Sequence, residues 1–151
     1  MIEKINSIPD FTSAFNDERI DRRATEFVRN FARARKSNIS AISKKSPEQK
    51  AYYRLLENTK FSEDIIKERT CSKCNINSTG RHVLAVNDTV DFNFEAHKGR
   101  VDIANGFGLS SNTTMGFKLH STLILDSQIH FPIGFSSIDI WNRPLDLPQR
   151  L

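Results

Sequence analysis

Three groups of residues in this chain have the types and spacing that chemistry uses. Asp88 follows the apolar run Val83-Leu84-Ala85-Val86. A carboxylate at the end of a buried strand is a common place for a metal ligand, since the strand fixes its position while the loop beyond leaves room for substrate. From position alone an Asp in that setting more often closes a turn with an Asx hydrogen bond, and local pattern does not settle between the two readings. Cys71-Ser72-Lys73-Cys74 has the spacing of half a zinc site, but the other half needs two more Cys or His, and the chain offers only scattered His82, His97, His120 and His130. The pair is therefore expected to be two free thiols. The third group is cationic: Arg19, Arg22, Arg23, Arg29, Arg33, Arg35 and Lys36 crowd one window that holds only Asp21 and Glu26 as acids. The planar guanidinium fork suits phosphate, and each phosphate neutralised releases counterions. Such a row gives salt-sensitive affinity for a polyanion without reading its sequence.

The elements that must position these groups are written as two kinds of periodicity. Ile20, Ala24, Phe27, Val28 and Phe31 recur three and four apart, one apolar helical stripe, while Arg22, Arg29, Arg33 and Lys36 fall on a second stripe. Residues 37–43 fit a turn and one helical turn leading into Lys44-Lys45. Ser46-Pro47-Glu48-Gln49 then predicts a helix over 47–58, with Ser46 as N-cap and Gln49 completing a capping box. Ala51, Tyr52, Leu55 and Leu56 would face inward on it, Lys50 and Arg54 outward. Ser62 caps a third, short helix carrying Ile65 and Ile66, and the polar stretch that follows reads as a linker over 71–82. From Val83 the period becomes two. The continuous run Val83 to Val86 predicts a strand buried on both faces. Val90, Phe92 and Phe94 alternate with polar residues, and after a Gly-containing loop over 98–114 so do Phe117, Leu119, Leu123 and Leu125. Ile129 to Phe135 reads as a further strand, broken by Pro132 and Gly134.

Composition bounds the whole. The 151 residues include only 6 Gly, 5 Pro and 2 Cys but 11 Phe, which excludes collagen-like, disulfide-dense and wholly disordered chains. No run of about 18 apolar residues or signal-peptide pattern is present, so a soluble, cytoplasmic protein with no membrane partner is expected. The net charge of +4 hides a split: 17 Lys and Arg against 11 Asp and Glu over residues 1–82, and 5 against 7 over residues 83–151. A basic half beside a mildly acidic one suggests a polyanion-binding module joined to something else, or a solvated helical surface.

Three blocks of this sequence resemble the N-terminal portion of bacterial insertion-sequence transposases of the DDE class, in the group that includes the transposon-five transposase. The first is Asn16-Asp17-Glu18-Arg19-Ile20-Asp21-Arg22-Arg23, similar to a G-D-x-R-x-x-x-R opening, with Asn16 in place of Gly. The second is Ala51-Tyr52-Tyr53-Arg54-Leu55-Leu56-Glu57-Asn58, similar to A-x-Y-R-x-x-x-N. The third joins Val83 to Val90 with Gly116 to Asp126.

The resemblance implies an α+β chain: a small helical DNA-binding domain over 1–70, then the first strands of an incomplete RNase H-like α/β core over 83–151. It implies double-stranded DNA at transposon ends as partner, held by Arg19, Arg22, Arg23, Arg29, Arg33, Lys36, Lys44, Lys45, Lys50 and Arg54, and a nucleoid-associated bacterial location. Asp88 matches the first catalytic and metal-binding aspartate. In the family two later carboxylates join it to hold two Mg²⁺ ions that activate the attacking hydroxyl and stabilise the leaving oxygen. Asp91, Asp102, Asp126, Asp139 and Asp146 match other blocks, so a truncated transposase, inactive by itself and lacking the family's dimerising region, is expected. A non-catalytic DNA-binding regulator and a generic basic interaction protein are the alternatives.

Overall fold

The computed structural model describes residues 7–36, 38–97, 99–100 and 107–144. The first helix, α1 (Glu18–Ala34), begins where the Asp17 carboxylate accepts the Arg19 N–H at 3.0 Å, and ends at Arg35, which turns into the left-handed region at φ 50°. α2 (Ile39–Ile42) is the single helical turn expected before Lys44, capped by Asn38. α3 (Ser46–Leu56) starts one residue earlier than its sequence signal. Ser46 is already helical and makes no cap, Lys45 is the N-cap, and Glu48 reaches back to accept the Lys44 N–H at 2.5 Å. That bond holds the Glu48 carboxyl below the usual carboxylate range.

The apolar stripe of α1 packs as its spacing predicts. Phe27 meets Tyr52 edge-on at 5.2 Å and Phe61 at 6.2 Å, and the core of this part gathers Phe11, Phe15, Ala24, Phe27, Ile42, Tyr52, Leu55 and Phe61. Tyr52 is fully buried, yet its hydroxyl is satisfied: it accepts from the Asn30 amide at 2.7 Å and donates to Glu48 at 3.1 Å.

The fourth helix departs most from expectation. α4 (Glu63–Ser78) is capped by Ser62 as predicted but continues through Cys71 and Cys74, so most of the expected linker is helix. Its first turns lay Ile65 and Ile66 against the Phe61 cluster, while Cys74, 1% exposed, packs with Ile124 and Ile133 of the sheet. A polar sequence hides this role because only one or two side chains per turn need be apolar for a helix to lie on a strand.

The sheet is antiparallel: β1 (Val83–Asn93) pairs with β3 (Met115–Asp126), and β3 pairs on its other side with β4 (Pro132–Trp141). A two-residue β2 (Gly108–Leu109) joins the start of β3. The last strand begins at Pro132 and not at Ile129, and its register slips twice, between Thr122 and Leu123 and between Ile124 and Leu125. The second slip falls between Gly134 and Pro132, the break that the sequence marked, and the first falls at Ser136, between Phe135 and Ser137.

β1 overturns the expectation of a doubly buried strand. It runs unbroken past Asp88, every residue in it is exposed, and Leu84 and Val86 each stand 47% open. The reason is placement, since β1 is an edge strand and α4 covers β4 instead.

Gly134 is where helix and sheet come closest. A Cβ placed there would lie 3.1 Å from the Cβ of Cys74 and 3.5 Å from its Cα, with helix backbone behind. Gly134→Val should therefore cost about 1–3 kcal/mol through overpacking. Thermal or urea melts check this, and a variant as stable as the parent would show that α4 does not lie this close to β4.

Candidate nucleic-acid interface

The cationic row stands on the side of α1 away from its packed stripe. Ala24 and Phe27 are buried there, and Arg22, Arg29 and Arg33, at spacings of seven and four, are exposed. None of the three makes a salt bridge among the described residues. Lys36, just past the helix end, is exposed as well.

A groove of about 450 Å³ opens beside the row, between the N-terminal turn at Thr12 and Ser13 and the flank of α1 carrying Arg22 and Arg29. Glu18 and Glu26 share its walls, so the cationic field is diluted at this end of α1 and least opposed towards Arg33 and Lys36. The turn itself is tied down by Asp21, whose carboxylate accepts the backbone N–H groups of Ser13, Ala14 and Phe15 at 3.1, 3.0 and 3.0 Å. Asp21 is thus a structural acid, and its charge, like those of Glu18 and Glu26, still stands beside Arg22 and Arg29 in the groove.

The other basic residues divide. Arg19 lies 3.6 Å from the Asp17 cap carboxylate. Arg23 is half-buried on the stripe it shares with Asn30, which reaches Tyr52 of α3, so it stands apart from the outer row. Lys44 and Lys45 are exposed in the connection into α3, and Lys50 and Arg54, one turn apart, are exposed on α3 itself. The expected DNA-binding residues therefore occupy two helices and the turn before the second, with Arg23 set aside by burial.

Asp88 is placed differently from its sequence reading. It is mid-strand and exposed, opposite Ser121, and its Oδ1 accepts the Thr89 N–H at 2.8 Å. Side chains alternate across a sheet, and Asp88 shares its face with Val86, Val90, Leu119, Leu123 and Ile138. Asp91, Asp126 and Asp139 belong to the opposite face, and Asp102 and Asp146 lie outside the described residues. Mg²⁺ is held by several oxygens in near-octahedral geometry. One carboxylate among aliphatic neighbours does not fit that need, and no group of three or more His, Cys, Asp or Glu that could hold a metal occurs among the described residues.

Two of the other acids have structural partners. Lys118 Nζ reaches Asp91 at 2.6 Å, and Asp126, 7% exposed, takes the Arg81 guanidinium at 3.2 Å. Burial pushes both thiols of the Cys71 and Cys74 pair up, so neither is an activated thiolate.

The chain matches no protein-family model and no curated protein.

Sequence reasoning missed a polar array on the helix-covered face. Thr122 donates to Asn87 at 2.6 Å and accepts from Ser137 at 2.9 Å. One rank along, Thr89 Oγ1 and His120 Nδ1 lie 2.7 Å apart, with Asp139 in register beyond. These rows exist only once the strands are in register, so no local motif announces them.

Asp126 ties the β3 end to Arg81 beyond α4. The backbone N–H groups of Gln128 and Ile129, with Arg81 adding, hold its carboxyl below the usual carboxylate range. A depressed folded-state pKa contributes stability above the unfolded value and loses it as pH falls through the folded one. The melting temperature should therefore hold steady from neutral pH to about 5 and decline below about 4. Asp126→Asn should melt lower at pH 7 and show a shallower decline. Equal slopes for parent and variant would remove Asp126 from this role.

Proposed function

We propose that this chain is a DNA-binding module related to DDE transposases, which holds the phosphate backbone of double-stranded DNA at transposon ends in the bacterial nucleoid. The carrying observation is the exposed, unpaired row of Arg22, Arg29 and Arg33 on the outer face of a helix whose inner face is locked into a core. Fixed guanidinium groups lose less freedom on meeting phosphate than groups on a mobile segment, and together they neutralise several phosphates along one strand. Lys44, Lys45, Lys50 and Arg54 extend the cationic surface onto the next helix.

Two local details support the family relationship. Asn16, where the family pattern has Gly, adopts φ 53°, a left-handed conformation that Gly and Asn enter at least cost. The three long strands are antiparallel neighbours in the order in which they occur in the chain, as an RNase H-like opening would require. The reading is binding without strand chemistry, because Asp88 has no second carboxylate on its face among the described strand residues. No helix among the described residues is long and apolar enough to cross a membrane.

Band-shift titration of the full chain on duplex DNA across a salt series tests the proposal. Binding should be tight at low salt and weaken steeply with salt. Replacing Arg22, Arg29 and Arg33 with Ala should lower affinity and flatten the log–log salt slope by about 0.9 for each phosphate no longer neutralised. No affinity at low salt, or an unchanged slope in the triple variant, would refute it.

A further inference from the structure

One face of the sheet is left bare by the other described elements. α4 covers the other, with Cys74 against Gly134 and Ile124. Cross-strand register puts Leu84, Val86, Val90 and Phe92 of β1, Leu119 and Leu123 of β3, and Phe135, Ile138 and Ile140 of β4 on the uncovered side. Phe92 stacks on Phe117 at 4.8 Å, so the apolar surface is continuous from β1 into β3. Four of these side chains on β1 stand between 39% and 47% exposed, and Phe135, at the far strand, 37%. Within the three long strands Asp88 is the single charged residue on this face.

We propose that this face is the interface of a homodimer, in which the bare sheets of two copies pack face to face about a twofold axis. Apolar side chains of this size offer on the order of 150–200 Å² each, so the open fraction at these positions amounts to on the order of 500 Å² per copy. Two copies then bury about 1,000 Å², the lower limit for a specific interface. Two twisted antiparallel sheets have a ready way to do this, about 10 Å apart with strands nearly aligned. The face is self-complementary because it is apolar apart from Asp88 and Ser121, and a twofold pairing presents the same patch on both sides. Asp88 opposes the association, since its carboxylate loses water without gaining a cation. The dimer is accordingly weak, with a Kd on the order of 10 μM. This assembly does not depend on DNA binding, because the arginine row lies on α1.

Sedimentation equilibrium of the full chain without DNA, from about 1 to 200 μM, decides the matter, with far-UV circular dichroism confirming that each variant is folded. The parent should pass from monomer to dimer across that range. Val90→Lys on β1 and Phe135→Lys on β4, both at exposed positions, should each give a monomer. Asp88→Leu should tighten the dimer about tenfold or more, and Ala85→Lys, on the opposite face of β1, should leave it intact. A parent that stays monomeric throughout would overturn the proposal. So would a dimer that survives Phe135→Lys but disappears in Ala85→Lys, which would point to pairing along the β1 edge.

Discussion

The packing of Cys74 against Gly134 and Ile124 is the constraint on which the rest of the molecule depends. α4 has two tasks along its length: its first turns close the Phe-rich helical core through Ile65 and Ile66, and its later turns lie on β4. A small residue on the strand lets the helix approach, and a small thiol on the helix fills the gap it leaves. Because one rigid helix serves both parts, the cationic helices and the sheet are joined by packing and not by a loose connection. The Arg81–Asp126 pair reinforces the same junction just beyond the helix end.

From that placement follows an uneven sheet. With α4 over β4, the strand at the other edge has no cover, and its apolar residues stand open on the side away from the helix. Antiparallel sheets tolerate one solvated face when that face is polar. Here the polar rows, Asn87–Thr122–Ser137 and Thr89–His120, lie on the helix side, and the bare side is aliphatic and aromatic except for Asp88 and Ser121. The distribution is the reverse of what a free-standing sheet would favour, and it is the physical reason to look for a partner on that face.

Much of the helical part is legible in the sequence, because its signals are local. The Ile20 to Phe31 stripe, the Ser62 cap and the inward Tyr52 and Leu55 each follow from residues within a turn or two of one another, whereas Leu56, expected inward with them, stands 46% exposed because no element packs over that side of α3 among the described residues. The α3 start lies one residue before its sequence signal, because the Glu48 carboxylate, reaching back to the Lys44 N–H, does the work expected of the Ser46 hydroxyl. The extension of α4 through Cys71 is hidden, since its stabilising neighbours come from β4, some sixty residues away. For Asp88 the apolar run before it suggests burial, but whether such a strand is central or at an edge depends on what pairs with it. Register also decides which acids share a face, and it separates Asp88 from Asp91, Asp126 and Asp139. The arginine row is the one candidate feature whose geometry a helical wheel supplies in full.

Under the two proposals the molecule divides its labour, with the helices serving the polyanion and the sheet serving assembly. Amide chemical-shift mapping of the full chain during titration with a short DNA duplex at low salt tests this division most directly. The largest shifts should fall within Arg19–Lys36 and Lys44–Arg54, with β1 around Asp88 unmoved. Shifts centred on Asp88 and its neighbours, with α1 silent, would contradict it.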